Sequence, residues 1–216
     1  MDIFGAILSI GVLVYSSVLH EIAHGYVAYR LGDPTAKLQG RLTLNPLKHI
    51  DWYMSVLLPV VLYLSTGGRF IFGGAKPVPV DSFNLRDGIK DLALVSLVGP
   101  LTNISLAVIA SIFIHLFYPD VPFMLVGSND IIGFILTKTV EWNLVLAIFN
   151  LVPIPPLDGS KIFALLLPKR EAAIYLSMGT FGMVILMVLL FFPIGGFSLM
   201  GLVSTLIGFA LSILGF

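Results

Sequence analysis

Residues Ile3–Tyr29 read IFGAILSIGVLVYSSVLHEIAHGYVAY, and Glu21 is the single formally charged side chain among them. A helix of that length is about 40 Å long at 1.5 Å per residue, more than the roughly 30 Å hydrocarbon core of a bilayer. Yet His20-Glu21-Ile22-Ala23-His24 lies within it, and ionisable side chains at membrane depth are expensive enough to call for a functional explanation. The stretch is read as a first transmembrane helix that carries a polar site. His20 and His24, spaced i and i+4, share one helix face. His-Glu-x-x-His on a helix lets both imidazoles reach one metal ion. Glu21, turned about 100° around the axis, can reach a water held by such an ion without ligating. Zinc lowers the pKa of that water to about 7, and a carboxylate placed there can accept its proton and deliver it to a leaving amine. The pattern is that of a zinc-dependent peptidase, and its surroundings place the site within the membrane.

Composition agrees with a membrane setting. Of 216 residues 57% are hydrophobic and only 11% charged, where soluble domains average about 25% charged; mean hydropathy is +1.01. The expected class is an all-α polytopic membrane protein with the lipid bilayer as its solvent. The net charge of zero gives nucleic acid no electrostatic footprint. The absence of cysteine excludes disulfides and thiolate metal ligands. Met1-Asp2-Ile3 lacks a basic n-region, and the apolar run after it is too long for a cleavable signal, so it reads as a retained span.

Further along, Trp52–Gly68 is a second uncharged run, at the low end of spanning length, with Pro59 inside it. Arg69–Asp91 holds Gly73-Gly74 and Lys76-Pro77-Val78-Pro79-Val80, whose prolines forbid a helix and favour extended backbone. Leu92–Tyr118 is a third long apolar run. Pro119–Thr137 reads as a loop. Trp142–Leu157 is apolar but interrupted near its end by Pro153, Pro155 and Pro156. Lys161–Arg170 mixes apolar and basic residues, as interfacial segments do. Ala172–Phe216 carries no charge, and Pro193-Ile194-Gly195-Gly196 is a turn between two helices. The expectation is a single transmembrane domain over residues 1–216 with about five to six transmembrane helices, a re-entrant or extended element near 52–91, and two C-terminal helices over about 172–216.

Basic residues set orientation. Arg30, Lys37, Arg41 and Lys48 lie in loop 30–51; Arg69, Lys76, Arg86 and Lys90 in 69–91; Lys161, Lys169 and Arg170 in 158–171. Loop 119–141 holds Lys138 beside Asp120, Asp130 and Glu141. The first three segments are expected in the cytoplasm and loop 119–141 outside, which puts the N-terminus outside. Segment 69–91 then stays cytoplasmic if Trp52–Gly68 dips in and returns, which irregular backbone permits where protein or a wet cavity satisfies it. His20, roughly 25 Å down the helix from Ile3, falls towards the cytoplasmic side.

A catalytic zinc takes three protein ligands and keeps an open position, so the two histidines need a partner. His115 lies near Tyr118 at the far end of the third run and reads as interfacial. His49, in a basic loop, reads as solvated. Asp158 ends a segment running in the same direction as the first span and so arrives at a similar depth, where the preceding prolines unwind the helix.

Asn150-x-x-Pro153-x-x-x-x-Asp158-Gly159, taken with the His-Glu-x-x-His motif, resembles the site-2 protease family of intramembrane zinc metalloproteases. Gly99-Pro100-Leu101-Thr102-Asn103 resembles a third marker of that family, and Gly73-Gly74-Ala75-Lys76-Pro77-Val78-Pro79-Val80 a segment of its short prokaryotic members. The resemblance covers about residues 15–165. It implies a three-span catalytic core, within about 3–165, and one zinc ion per chain held by His20, His24 and Asp158. It further implies Glu21 as general base, Asn150 and Asn103 as residues that position the scissile peptide, and residence in a prokaryotic cell membrane. Substrates would be transmembrane proteins or peptides, cut within or next to their membrane helices. Segment 70–80, with Ile71, Phe72, Val78 and Val80, offers an extended edge on which an unwound substrate could pair; the other reading is a loop that plugs the cavity. Many family members carry substrate-reading domains, and 216 residues leave no room for one, so substrate choice would rest on the spans, on short loops or on a separate regulatory membrane protein. Asn143, on the face of Asn150, reads as glue between helices, and Ser16 as a packing residue.

Two other functions fit parts of the pattern. A zinc-binding membrane protein of the same ancestry that does not cut would have no need of Glu21. A metal or ion transporter would be expected to show an internal repeat, and the sequence has none of fixed period.

Overall fold

The computed structural model describes residues 3–57, 60, 61, 64, 75–128 and 130–216. Residues 58, 59, 62, 63 and 65–74 lie outside the described residues, and with them the expectation of re-entry near 52–68 and the edge residues Ile71 and Phe72.

Helix α1 runs Ile3–Arg30. A single-turn α2, Thr35–Leu38, follows, then short turns of 3-10 helix at Pro46–His49 and of wider π-type helix at Trp52–Leu57. Helix α3 is Ile89–Phe117, α4 Phe123–Val126, α5 Ile131–Asn150 and α6 Asp158–Phe163. A 3-10 turn at Ala164–Leu166 leads into α7, Lys169–Ser177, α8, Gly179–Phe191, and α9, Leu199–Ile213. The described residues are thus all-α apart from one isolated bridge, Ile194 to Phe197, within the expected turn, where Gly195 and Gly196 take positive φ of 58° and 83°.

Three helices among the described residues, α1, α3 and α5, are long and apolar enough to cross a membrane. Helices α7 and α8 together pass the same test but meet at a 67° bend, and α9 is a shorter apolar helix. The molecule is an all-α polytopic membrane protein. Ile7, Ile10, Ile112 and Leu116 stand exposed on the outer faces of the spans, as lipid-facing residues do.

The third span begins eleven residues before the expected Trp142, at Ile131. Two charges had made 131–141 look like loop. Lys138 Nζ donates to Glu141 Oε2 at 2.5 Å, so the pair cancels along one face, and Asp130 caps the helix by accepting from the Gly133 N–H at 2.7 Å.

Helices α1, α3 and α5 pack pairwise on one another, and α6 packs on α3. Near one end, Ala107, Ala110, Ile114, Val140 and Leu144 form an apolar core. Near the other, Ala28 and Val95 meet Leu85. A third cluster joins Val152 to Leu186, Leu199 and Val203 and holds the C-terminal helices to the segment that precedes Asp158. Along α3, Gly99 and Asn103 lie between these two clusters, at the level of the histidine pair.

Candidate metal centre

His20 and His24 lie on the buried face of α1, 5% and 7% exposed. After Asn150 the chain leaves its helix and reaches Asp158, the first residue of α6. Gly159 makes that approach possible: a Cβ there would sit 2.1 Å from the Leu151 carbonyl oxygen. Asp158 Oδ2 lies 3.2 Å from His20 Nε2 and 3.1 Å from His24 Nε2, and the two Nε2 atoms are 2.9 Å apart. Among the described residues these three side chains form the group able to hold a metal ion.

The donor set fits zinc. Zn–N and Zn–O bonds of 2.0–2.2 Å at tetrahedral angles put neighbouring donors about 3.3 Å apart, close to the spacings found. The other ring nitrogens are occupied: His24 Nδ1 donates to the Val95 carbonyl at 2.6 Å, and His20 Nδ1 to Asn103 Oδ1 at 2.5 Å. With both Nδ1 atoms protonated, both Nε2 lone pairs point at a carboxylate oxygen. A cation among them relieves that repulsion, and outer partners of this kind are what orient histidine ligands. Lys161 Nζ donates to the other carboxylate oxygen, Asp158 Oδ1, at 3.1 Å.

Helix α3 supplies the floor. A Cβ on Gly99 would stand 2.5 Å from Cε1 and Nε2 of His24 and 2.6 Å from Cε1 of His20, so the absence of a side chain makes the space in which the imidazoles converge.

Glu21 is half-buried, one position round from the ligand face. Its Oε2 accepts the backbone N–H of Val78 at 2.6 Å. Val78 is buried, so the part of the 70–80 segment that is described lies against α1 instead of standing as a free edge. The lining is sewn down on both sides of Val78: Lys76 N–H donates to the His49 carbonyl, Arg41 Nη2 to the Lys76 carbonyl at 2.7 Å, and Asp81 N–H to Asp33 Oδ2 at 2.7 Å.

The structure adds to one sequence expectation and corrects another. Asn103 is fully buried, with its amide bonded to His20 and Asn143. His49 is 2% exposed, with Nε2 donating to the Thr43 carbonyl at 2.9 Å; it is neither solvated nor part of the metal group. Asn150 is half-buried and donates to the Leu146 carbonyl of its own helix at 2.9 Å. His115, as expected, sits at the far end of α3, stacked on Phe216. The carbonyl of Val95, the N–H of Val78 and the space above Gly99 were beyond a reading of side-chain motifs; Lys161, three residues after Asp158 on the same helix face, was within its reach.

Residues 128–193, which include α5 and Asp158, match the description of Peptidase family M50. The Bacillus subtilis protein named "Putative zinc metalloprotease YwhC" is 37% identical over 187 residues, covering 87% of this chain and 81% of that one. Rip2 of Mycolicibacterium smegmatis and MJ0611 of Methanocaldococcus jannaschii, which carry the same description, are 33% and 32% identical. They are matched over 71% and 67% of this chain, and over 54% and 63% of their own lengths. No solved structure matches the chain. With the histidine pair, the aspartate and the spans in place, the likeness to YwhC over most of both chains shows that this protein belongs to peptidase family M50, the site-2 protease family of zinc metalloproteases.

Proposed function

We propose that the protein is an intramembrane zinc endopeptidase that hydrolyses peptide bonds within or next to the transmembrane segments of membrane-protein substrates. The observation that carries this reading is the convergence of His20, His24 and Asp158 between apolar helices, with Glu21 one residue from the first ligand. His20, His24 and Asp158 would hold one zinc ion per chain. When bound, the ion supplies Lewis-acid polarisation of the scissile carbonyl and acidifies the attacking water.

The protein's own groups do the rest. Glu21 takes the proton from the water as it attacks the carbonyl carbon, then passes it to the leaving nitrogen as the C–N bond breaks. The Val78 N–H holds one oxygen of the carboxylate, so the other is the oxygen that handles the proton. Asn150, at the point where α5 ends and the chain turns towards Asp158, would meet the substrate backbone. A membrane helix hides its peptide bonds, so a substrate must unwind to reach Glu21, and the 75–80 lining must yield or share its backbone groups when it enters. The basic loops favour a site on the cytoplasmic side of a prokaryotic cell membrane, with the N-terminus outside. Selection of the substrate would fall to the spans, to short loops or to a separate membrane protein.

The test is reconstitution of the purified protein in lipid vesicles with a panel of single-span membrane proteins, following cleavage and zinc content for wild type and Glu21→Gln. Zinc in both and cutting in wild type alone supports the reading. Equal cutting by the two removes Glu21 from the mechanism.

A further inference from the structure

Three buried side chains link the three long helices beside the metal group. Asn143 Nδ2 donates to the Thr139 carbonyl and to Ser16 Oγ, both at 2.8 Å. Asn143 Oδ1 accepts from Asn103 Nδ2 at 2.7 Å, and Asn103 Oδ1 accepts from His20 Nδ1 at 2.5 Å. Asn103 and Asn143 are both fully buried, so water cannot replace a lost partner.

The chain of bonds has a direction. A backbone carbonyl only accepts, so Asn143 must turn its NH2 towards Thr139 and its oxygen towards Asn103. Asn103 must then turn its NH2 to Asn143; reversed, it would set two amide oxygens 2.7 Å apart. The Ser16 carbonyl, 3.5 Å from Asn103 Nδ2, favours the same sense. The oxygen left over faces His20 Nδ1, which must carry the proton, and His20 Nε2 is left with its lone pair towards Asp158 and His24.

We propose that Asn143 is a positioning residue of the metal centre: fixed by the Thr139 carbonyl, it sets the amide orientation of Asn103 and, through it, the tautomer of His20 that can bind a metal ion. This rests on the metal reading of the site given above. Asn143 touches neither ligand nor substrate; its effect passes through two hydrogen bonds. Without it, Asn103 can reverse, its NH2 then faces Nδ1, and the ring proton moves to Nε2, where it blocks the metal.

Two variants separate this role from packing. Asn143→Leu fills the space and offers Asn103 no acceptor. Asn143→Asp keeps an oxygen for Asn103, and as the neutral acid it also donates to Thr139. Zinc affinity, measured by chelator competition in detergent, is expected to fall about 10–100-fold in Asn143→Leu and to stay within about threefold of wild type in Asn143→Asp. In metal-free protein at about pH 8.5, where an ordinary histidine is neutral, 15N resonances are expected to place the His20 proton on Nδ1 in wild type and Asn143→Asp, and on both nitrogens in Asn143→Leu. Wild-type affinity in Asn143→Leu, equal losses in both variants, or a wild-type His20 protonated on Nε2 would each overturn the proposal; the last needs no variant to fold. Failure of the wild type to bind zinc would instead overturn the metal reading, since the tautomer is read without metal.

Discussion

The backbone N–H of Val78 meets Glu21 Oε2 at 2.6 Å, so an irregular segment 57 residues away in sequence orients the carboxylate beside the histidine pair. Removing that donor tests its worth. Val78→Pro is expected to lower kcat at least about tenfold, from the roughly 1.5–3 kcal/mol of a hydrogen bond to a charged group, with zinc content unchanged. Steady-state cleavage in vesicles gives the answer, and an unaltered kcat would show that Glu21 is oriented by something else.

Gly99→Ala brings a methyl group within 2.5 Å of His24. Alanine favours a helix over glycine by about 1 kcal/mol, so α3 itself should not suffer. Zinc binding is expected to weaken about 10–100-fold, the order of a lost ligand support, while circular dichroism stays that of wild type. Full zinc occupancy in this variant would mean that the imidazoles converge elsewhere.

Much of this architecture could be read from the chain itself. The long apolar runs announced spanning helices, and a histidine pair inside one of them could be placed on a single face by spacing alone. Asp158 followed from direction and depth. What could not be read was any group whose role depends on a neighbour distant in sequence. Asn103 shows no tie to His20 until the two are seen 2.5 Å apart. Lys138 and Glu141 look like a loop until they are seen to pair. Val95 contributes only a carbonyl, which no side-chain pattern reveals.

Asp33 carries a pH dependence. Burial pushes its carboxyl pKa up, but hydrogen bonds from the Thr35 hydroxyl, the Asp81 N–H, the Thr35 N–H and the Asn84 amide outweigh that and hold it below the ordinary value. A folded-state pKa below the unfolded one means that the stabilisation is complete above about pH 4 and is lost as pH falls through the folded value. The tie between α1 and the 75–84 segment should therefore loosen in acid. The protection of the Asp81 amide from hydrogen exchange, taken relative to the intrinsic rate at each pH, is expected to fall as pH drops below the ordinary carboxylate range of about 4 in wild type. In Asp33→Asn that protection should be low at every pH. Protection that is high and alike in both proteins would dismiss Asp33 as the tie.

Orientation has its own check. Reporter fusions after Ser128 and after Lys169, which flank α5, are expected on opposite sides of the membrane, with Lys169 in the cytoplasm. Reporters on one side would mean that α5 does not cross.

Zinc content tests the central claim most directly. Elemental analysis of purified wild type and of His20→Ala, His24→Ala and Asp158→Ala should return about one zinc per chain in wild type, as a three-ligand catalytic site requires, and a loss in each variant. A wild type without stoichiometric zinc, or an Asp158→Ala protein that keeps it, would contradict the account.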